Sequence, residues 1–260
     1  MPRVLLALAL VVAALPARPD DPPGLTVDVP VTAGVAGSAL AVWGASELAR
    51  DRLAPLSCRW CQPSALERHA RAQLVWSDTS AAATLSDLLV LVLPASLATA
   101  DYFFAARDVR RAGEDVLVAV EAVALAGLGT QAMKFAAARR RPDAWARGTR
   151  TSSDDDLSFF SGHASVAFAA AGAFGTVAWL RGYEAWPAVY AAGFGAATAI
   201  AYLRLAADRH WLSDVGAGAA FSTAVGIAVP LLLHRGQGDR KVTVTPLPIG
   251  AAGLGVSGAF

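Results

Sequence analysis

Residues 185–214 read AWPAVYAAGFGAATAIAYLRLAADRHWLSD. The first nineteen of them, 185–203, carry no charge, close to the ~20 apolar residues that a helix needs to cross the hydrocarbon core of a bilayer. Charge then returns in Arg204, Asp208, Arg209, His210 and Asp214. A long apolar helix ending in ionisable groups predicts a helical membrane fold with its chemistry gathered at helix ends.

The pattern extends in both directions. Residues 164–180 and 215–233 are likewise free of charge, and further apolar stretches run over 29–48, 81–106 and 116–133. Across 260 residues, hydrophobic side chains make up 55% against 17% charged, too apolar for an ordinary water-soluble domain. Small residues recur inside the stretches, as in Ala191-Ala192-Gly193-Phe194-Gly195-Ala196-Ala197, and they let membrane helices pack closely without a water-driven force. The expected fold is all-α: a six-helix, membrane-embedded bundle. Stretches 81–106 and 116–133 also fit a soluble Ala-rich bundle, because they carry Asp87, Asp101 and Glu121. Inside a membrane such acids would face the bundle interior or a polar cavity.

The chain ends differ from this middle. A basic head (Met1-Pro2-Arg3), an apolar run over 4–15 and an acidic, Pro-rich linker make residues 1–24 a signal peptide or an uncleaved signal anchor. Residues 25–235 form the helical domain, and 236–260 a tail in which the alternation Val242-Thr243-Val244-Thr245 predicts a strand or short hairpin. In an exported chain Cys58-Arg59-Trp60-Cys61 reads as a structural disulfide outside the cytoplasm.

Arg107, Arg110, Arg111, Arg181, Arg235, Arg240 and Lys241 follow the second, fourth and sixth stretches and put those loops in the cytoplasm. The expected location is therefore the cell membrane, multi-pass, with segment 139–161 on the non-cytoplasmic side. A cleaved leader with six crossings would reverse this. Either the leader stays as an anchor, or 29–48 lies along the surface, or the leader has no export role. A net charge of +1 gives no electrostatic footprint for nucleic acid.

Three segments hold the unusual polar residues: Lys134 with Arg141-Pro142, then Ser161-Gly162-His163, then Arg204, His210 and Asp214. Phosphoryl transfer needs donors for the non-bridging oxygens, a nucleophile and an acid for the leaving group. Lys134, Arg141 and Arg204 supply cations, the arginine fork matching phosphate geometry. Ser161 adds a hydroxyl, and Gly162 allows close backbone approach at a helix start, where free N–H groups and the dipole favour an anion. If the last helix begins before His210, Asp214 shares its face, fixes its tautomer and leaves the other ring nitrogen to attack. His163 then protonates the departing alkoxide and later activates water. No metal and no cofactor is expected; Asp154-Asp155-Asp156 reads as a solvated loop face that balances the arginines.

The order Lys-x6-Arg-Pro, Ser-Gly-His, Arg-x5-His-x3-Asp resembles the three-part signature of the type 2 phosphatidic acid phosphatase superfamily, shared with bacterial class A acid phosphatases and vanadium-dependent haloperoxidases. The resemblance covers roughly residues 112–233. It implies a six-helix α fold without a catalytic metal. Lys134, Arg141, Ser161, Gly162 and Arg204 would bind phosphate, His163 would be the acid, and His210 with Asp214 the nucleophile pair. Two positions depart from the usual pattern: Phe160 stands where the family has Pro before Ser-Gly-His, and Leu203 where Ser often precedes the arginine.

Taken singly, these residues have plainer readings. Lys134 with the arginine run 139–141 is a positive-inside flank, Arg204 a snorkelling helix end, and His210 an interfacial residue beside Trp211. With only four histidines in the chain, two of them falling at the required places favours the concerted reading. The expected function is a metal-independent phosphatase acting on a phosphate monoester or diphosphate of a membrane lipid through a phosphohistidine. The alternatives are an acid phosphatase of soluble esters, a vanadium-dependent haloperoxidase, and a non-catalytic transporter or scaffold.

Overall fold

The helix with the smallest side chains lies deepest. In the computed structural model, which describes residues 24–236, Gly162–Leu180 is buried without a break from Ala169 to Leu180. In chain order the α-helices of six or more residues are α1 (Val29–Leu48), α2 (Ala65–Leu74), α3 (Thr79–Ala100), α4 (Val109–Ala137), α5 (Pro142–Arg147), α6 (Gly162–Leu180), α7 (Trp186–Ala206) and α8 (Leu212–Leu233). A π-helical turn, Asp101–Ala106, prolongs α3. Among the described residues there are isolated β-bridges and no strands. The leader and the strand-like tail expected from the sequence lie outside the described residues.

Local chemistry sets the helix starts. Asp28, Asp78 and Asp108 each accept a backbone N–H from the residue three further on, the N-cap arrangement that satisfies an otherwise orphaned donor. Helix α4 stops where Ala138 turns left-handed at φ 44°, and α5 stops at Gly148, φ 73°, a conformation that glycine adopts without penalty.

Around α6 pack α4, α7, α8 and α3, with α1 laid along α4. Leu93, Leu97, Ala122, Phe174, Ile200 and Val229 form the shared core. The α6–α8 contact is backbone on backbone: a Cβ at Gly226 would sit 2.5 Å from the Ala169 carbonyl oxygen. Small residues at such a crossing bring the helices within full van der Waals contact.

Among the described residues six helices are long and apolar enough to cross a membrane: α1, α3 with its π turn, α4, α6, α7 and α8. The chain is thus compatible with a multi-pass membrane protein. Helix α1 is one of the six and packs along α4. It begins at the far end, where Thr26 N–H donates to the His234 carbonyl (2.8 Å) and Gly236 N–H to Gly24 (3.0 Å). It finishes at Glu47, 3.9 Å from Lys134 Nζ. All three polar segments singled out in the sequence gather at this second end, together with the disulfide Cys58–Cys61.

Candidate functional site

Each polar residue is delivered by a helix end. Lys134 lies in the last turn of α4, Arg141 caps α5, Ser161 caps α6, Arg204 lies in the last turn of α7, and His210 occupies the turn before α8. Arg141 is fixed through Nε to the Asp154 carbonyl (2.9 Å), through Nη2 to Asp154 Oδ1 (3.0 Å) and through Nη1 to the Arg209 carbonyl (2.9 Å). Its Nη1 also lies 3.3 Å from His210 Nε2. Arg204 Nη1 donates to Ser86 Oγ (2.8 Å) and Asp87 Oδ1 (3.1 Å), while its buried Nε has no partner among the described residues. Lys134 Nζ lies beside Gly162, where a Cβ would come within 3.6 Å of it. The first N–H groups of α6, which have no acceptor within their own helix, complete a cationic cradle.

His210 is 4% exposed. Its Nδ1 lies 2.8 Å from the Ser158 carbonyl oxygen, which can only accept, so Nδ1 carries the proton and Nε2 keeps its lone pair. Burial, and after it the charges of Arg141, Arg204, Lys134 and His163, push the imidazole well below its ordinary value. The ring is neutral, with its free nitrogen turned toward Arg141.

Here the structure corrects the sequence reading. Helix α8 begins at Leu212, after His210, so Asp214 does not share a helical face with the histidine. Asp214 Oδ2 stands 3.7 Å from His210 Nδ1 and is taken up instead by the Ser158 hydroxyl (2.5 Å) and the Trp211 N–H (2.8 Å). The carboxylate thus touches the histidine through Ser158, not directly.

The acidic run is not a solvated face either. Asp155 and Asp156 are buried, and the three acids pair with different arginines: Asp154 with Arg141, Arg50 and Arg209, Asp155 with Arg147, and Asp156 with Arg140 and Arg150. Burial raises the Asp154 carboxyl, but Arg141, Lys134 and Arg209 outweigh it and hold the group below the usual carboxylate range.

Residues 115–237 match the model of the PAP2 superfamily. Over that stretch the chain is similar to the PAP2 superfamily. No curated protein and no solved structure matches it. The PAP2 match supports phosphatase-type chemistry in the broad sense, and the matched residues contain all three polar segments.

Several cradle contacts come from outside the PAP2 stretch. His163 Nε2 lies 2.7 Å from Asp87 Oδ1 on α3, the same oxygen that Arg204 reaches. Sequence reading noted Asp87 only as an acid needing a polar surrounding, because 76 residues separate it from His163. Arg139, Ser158 and Glu67, which surround Asp214 and its neighbours, were also missed as site residues. Glu67 does carry a signal, but a misleading one: Ser64 and Glu67 form a capping box, which accounts for one carboxylate oxygen and conceals the partner of the other.

Proposed function

We propose that this protein is a metal-independent phosphatase that hydrolyses a phosphate monoester or diphosphate of a membrane lipid through a phosphohistidine on His210. The observation that carries the reading is the neutral His210, with Nδ1 protonated against Ser158 and Nε2 free beside Arg141. A neutral imidazole nitrogen next to three phosphate-binding cations can attack phosphorus in line.

In this reading Lys134, Arg141, Arg204, Ser161 and the Gly162 backbone take the non-bridging oxygens. The unpartnered Arg204 Nε is a donor available to one of them. His210 Nε2 forms the P–N bond as the P–O bond to the leaving group breaks. His163, held by Asp87, gives its proton to the departing oxygen and then takes one from the water that cleaves the phosphohistidine, releasing phosphate and restoring both rings. Asp214 supports His210 through Ser158. The lipid assignment rests on the six apolar helices around the cradle.

Location on the non-cytoplasmic face is supported by Cys58–Cys61 on the cradle side, since disulfides persist outside the reducing cytoplasm. With six crossings, residues 24–28 and the arginines at 107, 110, 111 and 181 are then cytoplasmic. A cleaved export leader would require the reverse, which the disulfide argues against.

The test is phosphate release by protein purified in detergent with a chelator present, from lipid phosphates, lipid diphosphates and soluble esters, beside His210→Ala. Chelator-resistant release from a lipid that the variant abolishes is expected. Release from soluble esters alone would remove the lipid assignment, and no release from any substrate would remove the phosphatase reading.

A further inference from the structure

Arg139 is the largest fully buried side chain among the described residues, at 1% exposure, although its neighbours in the run, Arg140 and Arg141, serve an acid and the cradle. Its Nη1 donates to Asp214 and to Ser213 Oγ (2.6 Å), and its Nη2 to Glu67. The guanidinium plane lies on Trp60, 3.6 Å from the ring centroid, with Trp211 at 5.9 Å and Phe159 at 6.0 Å. Trp60 in turn is locked to the chain around Arg139: Arg59 N–H donates to the Ala138 carbonyl (2.9 Å), Arg140 N–H to Trp60 (3.1 Å), and Cys58–Cys61 closes the loop. Such an arrangement is a poor device for stability, because a buried ion pair often adds no more than a well-packed apolar replacement. It is a good device for holding one carboxylate in one place.

We propose that Arg139, gripped between Glu67 and the disulfide-closed Trp60 loop, is a positioning residue that holds Asp214 and, through Ser158, the attacking imidazole of His210. The contacts run unbroken: Arg139 to Asp214 Oδ1, Asp214 Oδ2 to the Ser158 hydroxyl, and the Ser158 carbonyl to His210 Nδ1–H. Glu67 and the Trp60 loop lie before the PAP2 stretch, so the extramembrane segment 55–74 becomes part of the catalytic apparatus instead of a connector. Arg139 has a second effect through charge. His210 faces Arg141 and Lys134 from the α4–α5 side, Arg204 from α7, His163 from α6 and Asp214 from α8. Without Arg139, Asp214 stands beside the imidazole with its charge uncompensated and favours the imidazolium, which cannot attack.

This inference rests on the phosphatase reading. It is tested with Arg139→Met and Arg139→Lys on whichever substrate the wild type cleaves, following kcat, KM, the acid limb of the kcat–pH profile, and inhibition by orthovanadate as a probe of the cradle. Arg139→Met is expected to lose about a hundredfold in kcat, the size of loss that follows a misplaced reacting group. Its KM and vanadate inhibition should stay within about threefold, and its acid limb should move to higher pH. Arg139→Lys keeps the charge, so the limb returns to its wild-type position. A single ammonium cannot bridge Asp214 and Glu67 as the planar fork does, so kcat recovers only in part. Arg139→Lys is close enough in size and charge to fold where the methionine variant does not, and wild-type kcat in Arg139→Lys would overturn the proposal. So would an acid limb that stays put in a folded Arg139→Met. A wild type without phosphatase activity would remove the underlying reading and this proposal with it, whereas an active wild type matched by both variants would remove the positioning role alone.

Discussion

At the far end of the bundle His234 Nε2 lies 2.6 Å from Glu121 Oε2, and at the cradle end His163 Nε2 lies 2.7 Å from Asp87 Oδ1. The two pairs are alike in chemistry and length, and their surroundings separate them. The His234–Glu121 pair is sealed, with side chains 5% and 3% exposed, and its backbone bond to Thr26 joins the start and end of the helical domain. The Asp87 side chain is 62% exposed and is shared with Arg204, one of three cations that converge on His210. A buried histidine–carboxylate pair is by itself a packing solution. It becomes a candidate for proton transfer when it faces a space ringed by cations with capacity left for an anion.

The comparison breaks most readily at the cradle. His210→Ala is expected to lower kcat by a factor on the order of 10⁴ or more, the scale on which removal of a nucleophile acts, as measured by phosphate release. Asp87→Asn should come next, with a loss of about 10²-fold on an alkyl phosphate, within the range of general acid catalysis. The loss should be much smaller on an aryl ester whose leaving group needs no proton. Equal losses on both esters would remove His163 and Asp87 from the proton-transfer role.

At the far end Glu121→Ala should behave in the opposite way. It leaves a buried histidine without its partner and is expected to destabilise the fold by about 3 kcal/mol, read from thermal unfolding in detergent, while kcat per folded molecule stays within about twofold. A large loss of kcat there, with stability intact, would erase the distinction between the two ends.

The smallest effect concerns pH. His210 is held well below its ordinary value of 6.5 in the folded protein, so below that value the unfolded chain takes up a proton that the native chain refuses. Its contribution to stability is therefore present above pH 6.5 and declines as pH falls, by up to about 1.4 kcal/mol per unit for one proton. His210→Gln, compared with wild type by unfolding at several pH values, should flatten that slope.

How much of this was legible in the sequence depends on the range of the interaction. The apolar stretches announce the six long helices because lipid-compatible composition is a local property, and the three polar segments announce the cradle because each sits at the end of its own helix. Contacts made between distant segments leave no such trace. Asp87 reaches His163 from α3, and Glu67 reaches Arg139 across 72 positions; neither spacing has a pattern to recognise. The start of α8 was misjudged for a local reason. The turn out of α7 is made by Asp208 at φ 57°, a left-handed conformation that aspartate tolerates but that no glycine or proline marks. The run Asp154-Asp155-Asp156 misled on burial, because its composition suggests solvent while six arginines, from Arg50 to Arg209, pair with it.

The most direct test of the central claim is rapid quenching of the protein with a ³²P-labelled substrate it turns over, in the presence of a chelator, followed by mapping of the label. Phosphohistidine survives base and is lost in acid. The account predicts a base-stable, acid-labile label on the peptide containing His210 that is absent from His210→Ala and unaffected by the chelator. Turnover without any such label, or a label that persists in His210→Ala, would contradict it.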